Sequence, residues 1–229
     1  MPKSSIKIKY FINNIFFPHN ITCYACSQES KLNDGLCESC HSKLIPNIFV
    51  NDNIENINLV ISPFEYDENI SELIKSFKYN NKRYLARFFA QQISNAFNTH
   101  FNIESINKNL YVCAVPSHKN RKKSRGYCQT TLICEEFCNK SNLPDISKSL
   151  KRIRDTISQT TLDAKNRATN LENAFIASNN VRNKNILLID DVVSTGSTLK
   201  ECALALKNAG ANEIYALSVA KSKSIAQQL

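Results

Sequence analysis

Residues 186–199, ILLIDDVVSTGSTL, run four apolar side chains into Asp190 and Asp191 and then into a string of hydroxyls around Gly196. Carboxylates repel phosphate, whereas a Gly/Ser/Thr loop ahead of a helix attracts it, because successive backbone N–H groups form a concave nest and the helix end adds a favourable field. A ligand that satisfies both demands has hydroxyls at one end and a phosphate at the other. Asp190 and Asp191 can accept charge-assisted hydrogen bonds from vicinal hydroxyls or hold Mg²⁺ through water. Val193, Ser194, Thr195, Gly196, Ser197 and Thr198 form the expected phosphate cradle, with Gly196 permitting close approach and unusual dihedrals. A ribose 5-phosphate meets both demands. This reading requires the acids to face the pocket and the cradle to be open to solvent.

A P-loop ATPase would also place an acid after an apolar strand. It needs G-x4-G-K-[ST], however, and Gly35, Gly126, Gly196 and Gly210 are the only glycines. The same spacing excludes G-x-G-x-x-G. A helix N-terminus with spare hydroxyls accounts for Thr198 but not for the pair of acids.

Four of the nine cysteines form two knuckles, Cys23-x2-Cys26 and Cys37-x2-Cys40, separated by ten residues. Four sulfurs around one ion suit structural Zn²⁺, whose sites are closed and four-coordinate. Asn33-Asp34-Gly35 supplies the turn between the knuckles. A [4Fe–4S] cluster takes the same four ligands, and His41 could replace one of them. Cys134, Cys138 and Cys202 are expected as small core residues.

Two basic segments complete the chemistry. Lys119, Arg121, Lys122, Lys123 and Arg125 crowd one stretch, and Lys148, Lys151, Arg152 and Arg154 another. In an enzyme such segments clamp pyrophosphate and close over the reacting centre. In a DNA-handling protein they follow a phosphate backbone, with Tyr79, Tyr84 or Tyr127 available for base stacking. Solvated charged loops are the plain alternative.

The elements that must position these residues follow from apolar spacing. Strands are expected over residues 58–64, 110–116, 185–190 and 213–220. Residues 70–97 carry helical periodicity that Asn80-Asn81 breaks in two, and further helices are expected over 129–139 and 198–209, the last stopping at Gly210. Residues 148–166 carry much charge and little periodicity and are expected to form an exposed loop. Strands alternating with helices give an α/β fold with a parallel sheet covered on both faces, which binds ligands at the carboxyl ends of its strands. The expected division is 1–52, an N-terminal amphipathic segment with the cysteine module, and 53–229, the sheet domain.

Composition fits this reading. A 42% hydrophobic fraction is enough for a core, and a formal charge of +9 favours an anionic partner. Four thiolates around one Zn²⁺ would lower that charge to about +7. The most apolar N-terminal stretch, IKIKYFINNIFFP, is too short and too interrupted to span a membrane, so a cytoplasmic location is expected.

LLIDDVVSTGSTL resembles the signature of type I phosphoribosyltransferases. FKYNNKRYLA, VPSHKNRKKSRGYCQ, LKRIRDTISQTTLDAKNRATNLENAF and the four-cysteine module together resemble the ComF family, the amidophosphoribosyltransferase-like competence proteins. The resemblance extends from FFPHNITCYAC to ALSVAKS. It implies a type I phosphoribosyltransferase-like sheet with a small zinc module, used in natural transformation to handle incoming single-stranded DNA at the inner membrane. A helicase of the uptake machinery is the implied partner, with peripheral association with inner-membrane transport proteins. The family pattern, carried over, marks Arg121, Arg125, Gly126, Gln129, Arg152, Gln159 and Arg167. Lys75, Lys78 and Ser117 join the basic segments in the implied pyrophosphate- or DNA-binding set. Mg²⁺ with phosphoribosyl diphosphate is the implied ligand, and an active phosphoribosyltransferase with an unknown acceptor is the alternative. Three departures stand out: Ser194 stands for Thr and keeps the hydroxyl, Cys128 stands for Asn and loses an amide, and KYNN lacks the glycine after Lys-Tyr.

Overall fold

The computed structural model describes residues 22–44, 46–51, 53–101, 109–117, 126–154 and 173–222. The chain forms two compact units, Met1–Leu44 and Ile45–Leu229. The strand Phe49–Asn51 pairs within the second unit, so it lies on the N-terminal side of the expected division at residue 52.

In the first unit, strands β1 (Leu32–Asn33) and β2 (Leu36–Cys37) pair antiparallel across a two-residue turn, and helix α1 (Glu38–His41) follows at once. Asp34 and Gly35 both take positive φ, 50° and 87°, as the tightest hairpin turns require. Gly35 is obligatory for a second reason. A Cβ there would lie 2.0 Å from the Tyr24 ring.

The second unit is built on a sheet of order β3-β4-β10-β9-β6: β3 (Phe49–Asn51), β4 (Leu59–Ser62), β10 (Ile214–Lys221), β9 (Asn185–Val193) and β6 (Leu110–Ala114). The short β5 (Phe64–Glu65) extends the β4 side of β10. All pairings are parallel except β3 on β4. Ile186 and Leu188 of β9 share a buried cluster with Leu199, Cys202, Ala203 and Leu206 of helix α5 (Ser197–Asn208). Alternation turns Leu187 and Ile189 to the opposite face. Helices α3 (Leu85–His100) and α4 (Gln129–Ser141) cover that face and pack on each other. Both faces are thus buried, which explains why β9 and β10 read as continuous apolar runs.

Helix α2 (Glu68–Tyr79) begins at Asp67, whose carboxylate accepts the Ile70 N–H at 2.8 Å, and ends at Asn80. Asn81 takes φ 54°, so the expected break between two helices falls at the asparagine pair. Rings tie this side together: Phe77 lies 5.5 Å from Phe89, and Phe97 meets Phe137 edge-on at 5.6 Å.

Part of the expected loop 148–166 is ordered instead. Strand β7 (Leu150–Arg152) pairs antiparallel with β8 (Phe175–Ala177), and Leu150 and Phe175 join the α5-side cluster. Long-range pairing and burial at those two positions override the charge between them. Residues 155–166 of that loop, and the N-terminal amphipathic segment, lie outside the described residues.

Candidate phosphate-binding site

Asp190 and Asp191 lie within β9, which continues past them to Val193. Neighbours on an extended strand face opposite ways, and these two do. Asp190 is on the α5 side and only 8% exposed, and its Oδ1 accepts the Asp191 N–H at 2.8 Å. Asp191 turns to the other side, where its Oδ2 lies 2.6 Å from Lys78 Nζ at the end of α2. Burial, reinforced by the Asp191 charge, pushes the Asp190 carboxyl up to about 7; the Asp191 N–H and the Lys78 charge oppose this only in part.

The loop after β9 folds against Asp190. Gly196, at φ 79°, precedes α5 in a conformation that L side chains rarely adopt and has no side chain to cap the helix; Thr195 Oγ1 accepts the Ser197 N–H at a long 3.4 Å. The first-turn amides of a helix have no intrahelical carbonyl, so this end offers donors to an anion. Thr195 Oγ1 and Ser197 Oγ lie 2.8 Å apart. Asp190 and residues 192–199 line a shallow concavity open to solvent; Asp191, expected to face it as well, is not part of that lining. Thr195 is exposed, while Ser194, Ser197 and Thr198 are half-buried, so the cradle is open.

Two residues that the sequence reading did not mark shape this loop. Ile54 lies over Gly196, where a Cβ would sit 2.6 Å from Ile54 Cδ1. Lys221, at the end of β10, donates to the carbonyls of Ser194 and Ser222 and lies 5.5 Å from the Phe49 ring centroid. Burial lowers the Lys221 ammonium below its ordinary value. A lysine closing an apolar parallel strand is the sequence signal that could have found it.

The remaining marked residues are more dispersed. Ser117, just beyond β6, donates to Cys128 Sγ at 3.2 Å. Cys128 precedes α4 and is close enough to Asp190 for their charges to interact. Gln129 is buried, 3% exposed, at the first residue of α4. Arg152 lies on β7 with its guanidinium 5.5 Å from the Phe175 ring centroid, and Arg154 and Lys75 are exposed. Tyr127, one of three tyrosines considered for base stacking, is only 6% exposed and donates to the Phe77 carbonyl. Its ring supports Arg83 instead, the guanidinium carbon 4.7 Å from the centroid. Lys119, Arg121, Lys122, Lys123, Arg125, Gln159 and Arg167 lie outside the described residues.

The four knuckle cysteines converge. Their sulfurs all lie within 4.8 Å of one another, and Cys26 Sγ is 3.9 Å from Cys37 Sγ. A zinc–sulfur bond of about 2.3 Å gives a tetrahedral edge of about 3.8 Å, so the donor set fits that ion. Burial opposes ionisation of Cys23, yet backbone N–H groups of Cys37, Cys26 and Ala25 outweigh it and bring the thiol to about 6. Cys40 is pushed up to about 12 by burial and by the other three thiols around it. Such a cluster resists full ionisation until a cation compensates it. Cys134 and Cys202 are buried core residues, as expected, whereas Cys138, one turn on, is only half-buried.

The phosphoribosyl transferase domain family matches residues 131–226, which span α4 through β10. Competence protein F of Haemophilus influenzae is 32% identical over 164 residues, covering 69% of this chain and 70% of that protein. The DNA utilization protein YhgH of Escherichia coli K12 is 27% identical over 198 residues, 82% of this chain and 85% of that protein. Competence protein ComFC of Bacillus subtilis is 25% identical over 155 residues, 65% of this chain and 58% of that protein. No helix among the described residues is long and apolar enough to cross a membrane.

Proposed function

The chain belongs to the ComF family of competence proteins, and from that premise we propose that it handles single-stranded DNA during uptake and carries a pocket for the ribose-phosphate end of phosphoribosyl diphosphate. The observation that carries the pocket is the convergence of Asp190 with the start of α5, whose cap position is Gly196, on one open concavity at the carboxyl end of β9. Asp190 is set to accept from a ribose hydroxyl, and the amides and hydroxyls of residues 194–198 are set to hold the 5-phosphate. Asp191 is committed to Lys78 on the other side of β9. Mg²⁺, when bound with the diphosphate, would neutralise its charge, with Asp190 the carboxylate that lines the concavity. The names of the relatives and the basic composition support the DNA-handling part. Zn²⁺ in the cysteine knuckles is the structural metal of this reading.

Titration of the metal-loaded protein with phosphoribosyl diphosphate and, separately, with a single-stranded oligonucleotide tests the proposal. Both should bind. Removing two cradle hydroxyls together, in Thr195→Ala/Ser197→Ala, should weaken the sugar phosphate by about tenfold or more, since a hydrogen bond to a charged group contributes about 1.5–3 kcal/mol. A protein that binds neither ligand overturns the reading.

The retained acid pair also favours a second reading, transfer of the phosphoribosyl group with loss of pyrophosphate. Pyrophosphate release on addition of a nucleobase, abolished by Asp190→Asn, would establish it. Absence of release across all the common bases would exclude it.

A further inference from the structure

The corner between α2 and α3 has a composition that the phosphate site does not use. Residues 79–84 read YNNKRY, and Tyr79 and Tyr84 are 66% and 45% exposed. From residue 73 through residue 103 the sequence contains no acidic side chain, although it contains five cations. Among them, Lys78 is bonded to Asp191, and Arg87 lies 3.8 Å from Glu136. Lys82 and Arg83 stand between the two exposed rings.

The corner is also held in one shape. Arg83 Nε donates to Asn81 Oδ1 at 3.0 Å, and the Arg83 N–H donates to the Asn81 carbonyl at 2.8 Å. The guanidinium rests on the Tyr127 ring, whose hydroxyl is tied to the end of α2. The cation is therefore positioned before any ligand arrives, which lowers the ordering cost of binding. Because Lys78 reaches Asp191, the corner sits beside the carboxyl end of β9.

Exposed aromatic faces interleaved with cations, one of them held in place, match unpaired bases with a phosphate backbone, since every base has a face to stack and every nucleotide a charge. A duplex hides its base faces and would leave the tyrosines unused. An anionic bilayer would use the cations, but it favours a continuous apolar face over two separate phenols. We propose that the α2–α3 corner is the platform on which a single strand docks, its bases on Tyr79 and Tyr84 and its phosphates on Lys82 and Arg83. This rests on the DNA-handling reading above and deepens it by assigning the surface to residues outside the two basic segments marked from sequence.

The test is fluorescence anisotropy of a labelled oligothymidine of about 20 nucleotides with the full metal-loaded chain, run with anionic phospholipid vesicles as a parallel arm. In Tyr79→Ala/Tyr84→Ala the affinity should fall at least tenfold, because stacking contributes about 1–3 kcal/mol per base. Tyr79→Phe/Tyr84→Phe, which keeps both rings, should bind within about twofold of wild type. Lys82→Gln/Arg83→Gln should make the slope of log K against log salt shallower by about 1.4, the loss of two neutralised phosphates. Unchanged melting temperatures guard against misfolding. If wild type binds the oligonucleotide and both the alanine and the glutamine variants bind it equally well, the platform is elsewhere and only this inference is lost. If wild type does not bind it, the DNA-handling reading falls too. Variants that lose vesicle binding while keeping the oligonucleotide reassign the corner to lipid and overturn the proposal.

Discussion

Asp190 is buried on the α5 side while its carboxyl must meet a ligand, and that tension has a measurable consequence. The folded-state carboxyl is raised to about 7 from 3.8, so the native state holds its proton more tightly than the unfolded chain. Stability from the neutral acid is fully present below about pH 4 and is lost as pH rises through 7. Asp190→Asn removes that loss and keeps an acceptor for the Asp191 N–H. In urea titrations without divalent cations the variant should be the more stable at pH 8, by up to about 4 kcal/mol. Its advantage should narrow steadily towards pH 5; a constant difference would mean that Asp190 titrates as an ordinary carboxylate. Gly196 is constrained differently, by backbone and by contact. Gly196→Ala should cost about 1–2 kcal/mol from the positive φ alone. Pairing it with Ile54→Ala should relieve the contact with Ile54 but leave that cost, and denaturation curves of the single and double variants separate the two effects.

The cysteine knuckle has little else to hold it together. Among its described apolar residues, Cys23, Leu36, Cys37 and Leu44 are buried, far too few for a core of its own. Metal binding must then supply the folding free energy of this element. The purified protein should carry about one zinc per chain, as four thiolates per ion require. A strong chelator, or Cys23→Ser, should open residues 22–44 to proteolysis while the melting transition of residues 45–229 persists; a knuckle that stays protected without metal would contradict this. The knuckle was legible in the sequence because ligand spacing is a local signal, and so was the two-helix break, since asparagine tolerates the left-handed turn at Asn81. The apolar runs of β9 and β10 and the hydroxyl-rich loop were legible for the same reason. The β7–β8 hairpin was not: Leu-Lys-Arg shows no strand pattern, and its partner lies more than 20 residues on. Nor could the sequence show that Asp191 turns to Lys78 or that Tyr127 is buried beneath Arg83, because both depend on where α2 ends against the sheet.

At the scale of the molecule, a formal charge of +9 favours any anion and cannot by itself distinguish a strand from a sugar phosphate. Salt can. A polynucleotide arrives with condensed counterions that each neutralised phosphate releases, so its log K falls by about 0.7 per contact for each log unit of salt. A mononucleotide-sized ligand has no such atmosphere, and its cradle is built from amides and hydroxyls rather than from spread lysines. Two cations on the α2–α3 corner set the minimum slope for the oligonucleotide at about −1.4, and cations of the basic segments would steepen it. Titrations between 50 and 300 mM salt should therefore give a steep line for single-stranded DNA and a markedly shallower one for phosphoribosyl diphosphate. Parallel lines would place both ligands on one diffuse basic surface, and the distinction between a pocket and a platform would collapse.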